Sequence, residues 1–242
     1  MRRSLSLKPD CLVDHNPAIA KSVQHLAPHQ LFNIIPYGID SKEFTPLGKS
    51  MITGLPKPTI LCVAPLERCG NSRIELAIKA VARMSEGRLL LCGDGCDHDY
   101  FQELGDRLLG RERFQIKTFA YAQMPQVYRS ANVFTLPSKE AFLGLAYIEA
   151  MACGLPVVAT DDSVRRYLIG DGGITCNVTD IDTYAESLQI ALDRQWLKQK
   201  AQANALRFSW QQIALLHYKT ILQTIMQPDN SFAFSTVQHI QK

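Results

Sequence analysis

The sequence predicts an α/β fold in which a Rossmann-like parallel sheet carries helices on both faces. Two observations support this fold class. Short apolar segments, typical of strands buried on both faces, alternate with segments of helical periodicity about every 25 residues. Strands and helices that alternate in this way form βαβ units, and their right-handed crossovers require parallel strands covered on both faces.

The first predicted unit follows the segment Pro56-Lys57-Pro58 and consists of a strand over residues 59–64 and a helix over residues 74–84. Further strands are predicted at residues 88–92, 114–119, 132–136 and 156–160, and further helices at residues 100–109, 145–153, 181–192 and 211–225. Another helix begins at Met124, where Pro125 suits a first helical turn. Gly154 ends the helix over residues 145–153.

The two ends of the chain depart from this alternation. Residues 10–40 hold a weak strand at 11–13, a helix at 17–26 and a strand at 32–35, which is too little for a domain. Residues 227–242 lack periodicity, so we expect a loose tail. Residues 208–210, Phe-Ser-Trp, are expected to anchor the last helix in the core, and His15 is expected to flank or cap the helix that follows it rather than act in catalysis.

The composition excludes several classes of protein. With 242 residues, 46% hydrophobic and 20% charged, the chain can bury a sizeable core, and a net charge of +3 is too mild for a nucleic-acid partner. Lys8, Pro9 and Asp10 interrupt any signal peptide, and no segment approaches the ~20 apolar residues of a membrane helix. The seven cysteines are scattered, as thiols are in a reducing compartment. We therefore expect a cytoplasmic protein with at most peripheral membrane contact.

Candidate site residues should lie beyond the carboxyl ends of the strands, in the loops after Ala64, Cys92, Phe119 and Leu136. The most informative segment is residues 137–159, where a buried strand leads through a loop into a helix. The N–H groups and the dipole of such a helix suit a pyrophosphate. Glu140 and Glu149 flank this position, and carboxylates there suit sugar or ribose hydroxyls. A solvated loop acid and a surface charge on the helix remain the alternatives.

Residues 140–158, together with residues 34–40 and Gly93-Asp94-Gly95, resemble the C-terminal half of the group 1 (family 4 type) retaining glycosyltransferases. The resemblance extends from about Asp10 to about Ile225. It implies a GT-B architecture of two Rossmann-like domains, in which the C-terminal domain holds a nucleotide-diphospho-sugar and no metal ion is required. A zinc site at Cys92, Cys96 and His98 with Cys69 is not expected, because their spacing fits no closed structural pattern and Cys92 lies in a predicted strand.

The resemblance also implies roles for individual residues. Glu149 would bind the ribose, and Glu140 would bind hydroxyls of the donor sugar at the catalytic centre. The backbone at Phe142, Leu143, Gly144 and Leu145 would bind the pyrophosphate, Phe119-Ala120-Tyr121 would bind the nucleobase, and Gly93 and Gly95 would allow close approach of the donor. For the two glycines a plain tight turn is an equal alternative.

Three local features differ from the family pattern. Glu140 and Glu149 are separated by one residue more than is usual, as though Leu143 were inserted. Ala64-Pro65 stands where the family has a glycine followed by an arginine. The phosphate-binding lysine of the family falls near Ser72, which leaves Arg68 and Arg73 as the nearby cations to stabilise the departing diphosphate.

A larger difference from the family concerns the acceptor domain. The resemblance implies an acceptor domain of about 150–200 residues before the Pro-Tyr-Gly turn, but only residues 1–35 precede that turn here. Residues 1–35 then correspond to the end of that domain and a linker, residues 36–226 to the donor-binding domain and residues 227–242 to the tail. We expect negligible turnover by this chain alone. The expected partners are the nucleotide-sugar donor and either a chain that supplies an acceptor domain or a second copy, bound through apolar patches on the helix at 17–26 and the last helix.

Two functions stay open. One is hexosyl transfer from a nucleotide-diphospho-sugar with retention of configuration, incomplete without an acceptor domain. The other is a non-catalytic sugar-nucleotide-binding or assembly module, or the remnant of a split or truncated glycosyltransferase.

Overall fold

The fold is α/β, as the sequence predicts. The computed structural model describes residues 11–226 except residues 18, 27–30, 53, 55, 140–143 and 195. The predicted tail lies outside the described residues.

Strands and helices alternate along nearly the whole described chain. The strands are β1 (Cys11–Asp14), β2 (Leu31–Ile34), β3 (Thr59–Val63), β4 (Arg88–Cys92), β5 (Phe114–Lys117), β6 (Val133–Leu136), β7 (Val157–Thr160) and β8 (Gly173–Cys176). The helices are α1 (Ile19–Leu26), α2 (Ile74–Arg83), α3 (His98–Leu109), α4 (Met124–Ser130), α5 (Leu145–Ala152), α6 (Ser163–Ile169), α7 (Ile181–Asp193), α8 (Trp196–Ala205) and α9 (Trp210–Met226).

The main sheet is parallel, with strand order β5-β4-β3-β6-β7-β8. After β3 the chain adds strands on one side, and from β6 onward it adds them on the other. The order therefore reverses between β3 and β6, and the helices cover both faces. Helix α2 contacts α3 and α7, while α5 contacts α4, α6 and α8. In sheets of this kind the ligand crevice lies beyond the carboxyl ends of the two strands at the reversal.

Three observed elements were not predicted from the sequence: β8, α6 and α8. Strand β8 begins with Gly173, is mostly half-buried at the sheet edge and lacks a continuous apolar run. Helix α8 is largely polar and packs through Leu197, Ala201 and Ala205. Helix α6 did carry a signal, because the Asp162 carboxylate caps its first turn. Half-buried or polar elements give weak periodicity, which explains the omission of β8 and α8.

The first two strands form a separate parallel pair, β1 with β2, joined through α1. His15 Nδ1 lies 2.6 Å from the Ile35 carbonyl oxygen, and its ring centroid lies 4.1 Å from that of Tyr37. The following turn packs on the start of α9: a Cβ atom at Gly38 would lie 2.4 Å from the Trp210 ring. Phe208 is buried in the core, as predicted, whereas Trp210 is exposed and covers this turn.

Within the described part of the chain, no helix is both long and apolar enough to cross a membrane.

Candidate functional site

The loops after β3 and β6 meet at the point where the strand order reverses. Arg73 ends the β3 loop and donates from Nε to the Pro137 carbonyl oxygen (2.7 Å) and from Nη2 to the Ser138 carbonyl oxygen (3.1 Å). The Lys139 amide donates to the Asn71 carbonyl oxygen at 2.6 Å. These bonds join the two loops directly at the crevice.

Arg73 also contacts the end of β7. Its Nη2 lies 3.0 Å from Thr160 Oγ1, and Thr160 Oγ1 donates to the Ser138 carbonyl oxygen at 2.8 Å. Arg73 has a left-handed backbone (φ 49°), which is uncommon for a residue other than glycine. Burial lowers the pKa of Arg73, although an arginine stays charged in proteins. Its guanidinium therefore brings a positive charge to the crevice while holding three protein oxygens.

Helix α5 begins at this crevice. Gly144 is its N-cap, Leu145 is its first residue and is partly exposed, and no side chain among the described residues caps it. Its first N–H groups and dipole thus face the loop without a capping side chain from the described chain. Glu140, Phe142 and Leu143 lie outside the described residues, so their roles stay predictions.

Glu149 lies in α5 and is 5% exposed. The Tyr128 hydroxyl donates to Glu149 Oε2 at 2.7 Å, and the Tyr121 hydroxyl donates to Oε1 at 3.0 Å. Burial raises the pKa of Glu149 above its usual range, and the two hydrogen bonds oppose that rise. A surface charge, the alternative that the sequence left open for Glu149, is therefore wrong.

The two tyrosines differ in exposure. Tyr128 belongs to α4 and is fully buried, whereas Tyr121 is 64% exposed in the 3-10 turn that follows β5. Burial and the Glu149 charge raise the pKa of Tyr121 to about 12, so its hydroxyl stays a donor at neutral pH. Of the neighbouring residues, Phe119 packs against the core and Ala120 is exposed. The family resemblance assigned Tyr121 to the nucleobase and Glu149 to the ribose. The structure places these two side chains in direct contact.

Gly93 and Gly95 are packed against the loop after β3. A Cβ atom would lie 1.9 Å from the Ala64 carbonyl oxygen at Gly93 and 2.5 Å from the Leu66 carbonyl oxygen at Gly95. The Leu66 amide donates to the Asp94 carbonyl oxygen at 2.9 Å. Both glycines are therefore required by contact between two loops of the protein, and a donor contact at either stays a prediction.

Arg68 lies at the exposed rim of the same loop. Its guanidinium carbon is 4.0 Å from the centroid of the Tyr100 ring, and its amide donates to Asp97 Oδ2 at 2.8 Å. A role at the diphosphate stays a prediction for both Arg68 and Arg73.

Sequence reasoning missed Tyr128, Ser138, Tyr147 and Arg165. Arg165 is fully buried and donates from Nη2 to Ser138 Oγ (2.5 Å), and Ser138 Oγ lies 3.0 Å from the Tyr147 hydroxyl. The sequence could have predicted only that Glu149, a glutamate in the apolar helix α5, needs hydrogen-bond donors when it is buried. The identity of those donors depends on tertiary contacts.

The parallel sheet, the reversal of its strand order and the loop–helix site define a GT-B type Rossmann-like domain. Residues 57–194, more than half of the chain, match the family described as "Glycosyl transferases group 1". The chain therefore belongs to the group 1 glycosyltransferases, which confirms the resemblance seen in the sequence.

Curated relatives are similar over much of this chain. It is 28% identical to sulfoquinovosyl transferase SQD2 of Arabidopsis thaliana over 72% of this chain and 36% of that protein. It is 32% identical to the phosphatidyl-myo-inositol mannosyltransferase of Mycolicibacterium smegmatis over 73% of this chain and 48% of that protein. The match thus spans between about a third and a half of the length of these relatives.

Solved structures share the fold. Sucrose-phosphate synthase from Thermosynechococcus elongatus superposes with a TM-score of 0.75 at 24% identity, over 92% of this chain and 60% of that chain. HepE of Anabaena, in complex with UDP and glucose, superposes with a TM-score of 0.69 at 18% identity, over 90% of this chain and 63% of that chain.

Proposed function

We propose that this domain binds a nucleotide-diphospho-sugar and presents it for hexosyl transfer with retention of configuration. The observation that carries the proposal is Glu149, a buried carboxylate in the helix that begins at the crevice, with an exposed tyrosine as its outer partner. A buried carboxylate is costly unless it is hydrogen-bonded, and donors from a ligand would complete its set.

The ribose of the nucleotide suits this carboxylate. A carboxylate oxygen can accept two hydrogen bonds, and among the described residues a single tyrosine hydroxyl binds Oε1. A ribose hydroxyl can therefore add to Tyr121 at Oε1 or take its place, since the side chain of Tyr121 is exposed. Tyr128 would keep its hydrogen bond to Glu149 Oε2 whether or not the ribose is bound.

The diphosphate would lie at the first turn of α5, where N–H groups and the helix dipole attract negative charge. Arg73 adds a positive charge held by hydrogen bonds at the same crevice, and Arg68 adds an exposed one at its rim. Charge that develops on the departing diphosphate would be stabilised there without a metal ion. In this scheme Glu140 binds hydroxyls of the sugar, a role that rests on the family resemblance.

Calorimetric titration of the purified chain with UDP, GDP and ADP tests donor binding. We expect one nucleotide to bind and Glu149→Gln to weaken that binding at least about tenfold, because the amide loses the charge that ribose hydroxyls favour. Glu186→Gln is the matched control, since Glu186 is exposed on α7. A folded wild-type chain that binds none of the three at millimolar concentration would rule out the proposal.

We further propose that transfer needs an acceptor-type Rossmann-like domain, supplied by a larger polypeptide or by a second chain. The last helix supports this, because α9 exposes an apolar stripe at helical spacing: Leu215, Tyr218, Ile221, Leu222 and Ile225. Ile19 and Leu26 of α1 are exposed as well. Among the described strands, β1 and β2 pair only with each other, and an isolated pair of strands is at best marginally stable.

All seven cysteines are free thiols, and burial raises the pKa of Cys62 to about 12. Free thiols are usual in a reducing compartment, and we propose that the reaction takes place in the cytoplasm.

A non-catalytic binding or assembly module is the second candidate, and the exposed stripe of α9 favours it equally. Co-expression with an acceptor-type domain separates the two functions. Sugar transfer by the complex supports the enzyme, whereas a stable complex that binds the nucleotide without transfer supports the module.

A further inference from the structure

Arg165 is a buried charge that the scheme above does not use. Its side chain is 0% exposed, and its Nη1 donates to Asp162 Oδ2 at 2.6 Å. Its Nε is buried without a hydrogen-bond partner in the described part of the chain. Arginine is almost never fully buried unless it is paired, and incomplete pairing makes burial costly. Its position therefore needs a physical explanation.

Asp162 is itself fixed by the helix that carries Arg165. Its Oδ1 accepts from the amides of Val164 (3.0 Å) and Arg165 (2.9 Å) and so caps α6. The carboxylate cannot turn without uncapping the helix. It therefore holds one end of the guanidinium, and the other end, Nη2, reaches Ser138 Oγ in the loop after β6.

The bonds beyond Ser138 have one possible direction. The hydroxyl of Tyr147 donates its single hydrogen to the Leu136 carbonyl oxygen at 2.7 Å. The hydroxyl of Ser138 must then donate to Tyr147 Oη at 3.0 Å, and its oxygen accepts from Arg165. Donors aligned in this way in a buried setting strengthen one another. The chain of bonds joins α6, the end of β6 and the first turn of α5.

The segment Pro137–Ser138 is also held by Arg73. Arg73 binds the carbonyl oxygens of Pro137 and Ser138, whereas Arg165 binds the side chain of Ser138. Two guanidiniums thus hold Pro137 and Ser138, the residues that directly follow β6. Arg73 can be recognised as a candidate from its place in the β3 loop, but Arg165 lies 27 residues beyond Ser138 and is hidden from solvent.

We propose that Arg165 is a positioning residue for the diphosphate subsite. Through Ser138 it fixes the turn at Pro137–Ser138 and, through Tyr147, the first turn of α5, so that the helix amides meet the diphosphate in a fixed orientation. This inference rests on the proposed function. It adds a residue that touches no ligand and acts only through the loop and helix that would.

The test compares Arg165→Met, which keeps much of the volume and removes the charge and the donors, with Arg166→Met. Arg166 is the neighbouring arginine and forms an exposed pair with Asp161. Affinities for the nucleoside monophosphate and the nucleoside diphosphate are measured for each variant. The gain in affinity from the second phosphate is the ratio of the diphosphate affinity to the monophosphate affinity. Arg165→Met should reduce this gain about tenfold or more, because even a small displacement of groups that bind the ligand is costly. Arg166→Met should leave that gain unchanged.

Ser138→Ala carries the test if Arg165→Met does not fold, since it removes the acceptor and leaves the Arg165–Asp162 pair intact. It should reduce the same gain, and in a stable background the double variant should cost less than the sum of the two single variants. Equal weakening of both nucleotides would indicate general loosening and overturn the proposal. An unchanged gain in folded Arg165→Met would also overturn it.

Hydrogen exchange of the amides at Ser138, Lys139 and Tyr147 separates this proposal from the proposed function. If the wild-type chain binds no nucleotide, the proposed function fails and the diphosphate role fails with it. Faster exchange at these amides in Arg165→Met but not in Arg166→Met would still show that Arg165 holds the turn. Unchanged exchange at these amides in Arg165→Met would show that Arg165 does not hold the turn.

Discussion

At the scale of single residues, the carboxylate of Glu149 lies between two tyrosine hydroxyls that differ in exposure. Tyr128 is buried and Tyr121 is exposed, so removal of either hydroxyl tests the same carboxylate in different surroundings. Tyr128→Phe should lower the free energy of unfolding by about 1.5–3 kcal/mol, because it leaves a buried charged oxygen without its donor. Urea denaturation provides the measurement.

Tyr121→Phe is the matched control for this experiment. Water can replace its hydroxyl at the exposed side, so the loss should be below about 1 kcal/mol. Equal losses for the two variants would contradict the difference in burial.

The raised pKa of Glu149 predicts a pH dependence with a defined sign. Between the usual carboxyl pKa and the raised pKa, the folded state keeps a proton that the unfolded state has lost. The free energy of unfolding contributed by this group therefore falls as pH rises through that window. Glu149→Gln should remove this slope, which denaturation measured from about pH 4 to 8 would detect. Glu186→Gln should retain it.

Nucleotide binding should show the opposite trend with pH. The charged carboxylate is the better acceptor for ribose hydroxyls, so affinity should fall as pH is lowered through the raised pKa of Glu149. Titration of the wild-type chain at several pH values measures this. An affinity that increases on acidification would argue against an ionised Glu149 in the complex.

At the scale of elements, the loops after β3 and β4 are in direct backbone contact at Gly93. Gly93→Ala should lower the free energy of unfolding by about 1–3 kcal/mol, because its Cβ atom would lie 1.9 Å from the Ala64 carbonyl oxygen. Thermal or urea denaturation measures the change.

Gly70→Ala serves as the control in the same β3 loop, where the nearest atoms would be 3.2 Å away. It should cost less than about 1 kcal/mol. If both alanine variants were equally stable, the close packing of the two loops would be refuted.

The pattern of apolar residues located most elements but not all of them. Buried strands such as β4 were predicted with their observed bounds, because a continuous apolar run has few alternatives in an α/β fold. Strand β8 was not predicted, because it has no continuous apolar run. A half-buried edge strand that begins with glycine is specified by its pairing with β7 rather than by its own sequence.

At the scale of the whole molecule, α9 should bind the proposed acceptor-type domain through its exposed stripe. Ile221→Glu should leave the stability of the isolated chain within about 0.5 kcal/mol, because Ile221 is exposed, and should abolish the complex. Co-purification and sedimentation measure complex formation.

Gln223→Glu adds the same charge about 200° around the helix from Ile221 and should preserve the complex. A concentration-dependent dimer of the wild-type chain that Ile221→Glu disrupts would instead identify a second copy as the occupant. A complex that survives Ile221→Glu would exclude the stripe as the interface.

The sequence alone determined the α/β class, the order of most elements, the family and the helix that carries Glu149. These follow from local signals: apolar runs, helical spacing and a loop–helix segment of consecutive residues. It also directed attention to Arg73 and Tyr121. The roles of Glu140, Phe142 and Leu143 were inferred from the family resemblance, and these residues lie outside the described residues.

Only the tertiary structure decided the contacts between distant residues. The reversal of strand order between β3 and β6 brings Arg73 to the Ser138 turn, and the packing of α4 on α5 brings Tyr128 to Glu149. Arg165 reaches Ser138 only because β6 and β7 are neighbours. These contacts depend on which elements become adjacent, and local periodicity carries no information about that choice. The tertiary contacts therefore identified the hydrogen-bond partners of Glu149 and those of Arg165, on which its proposed role rests.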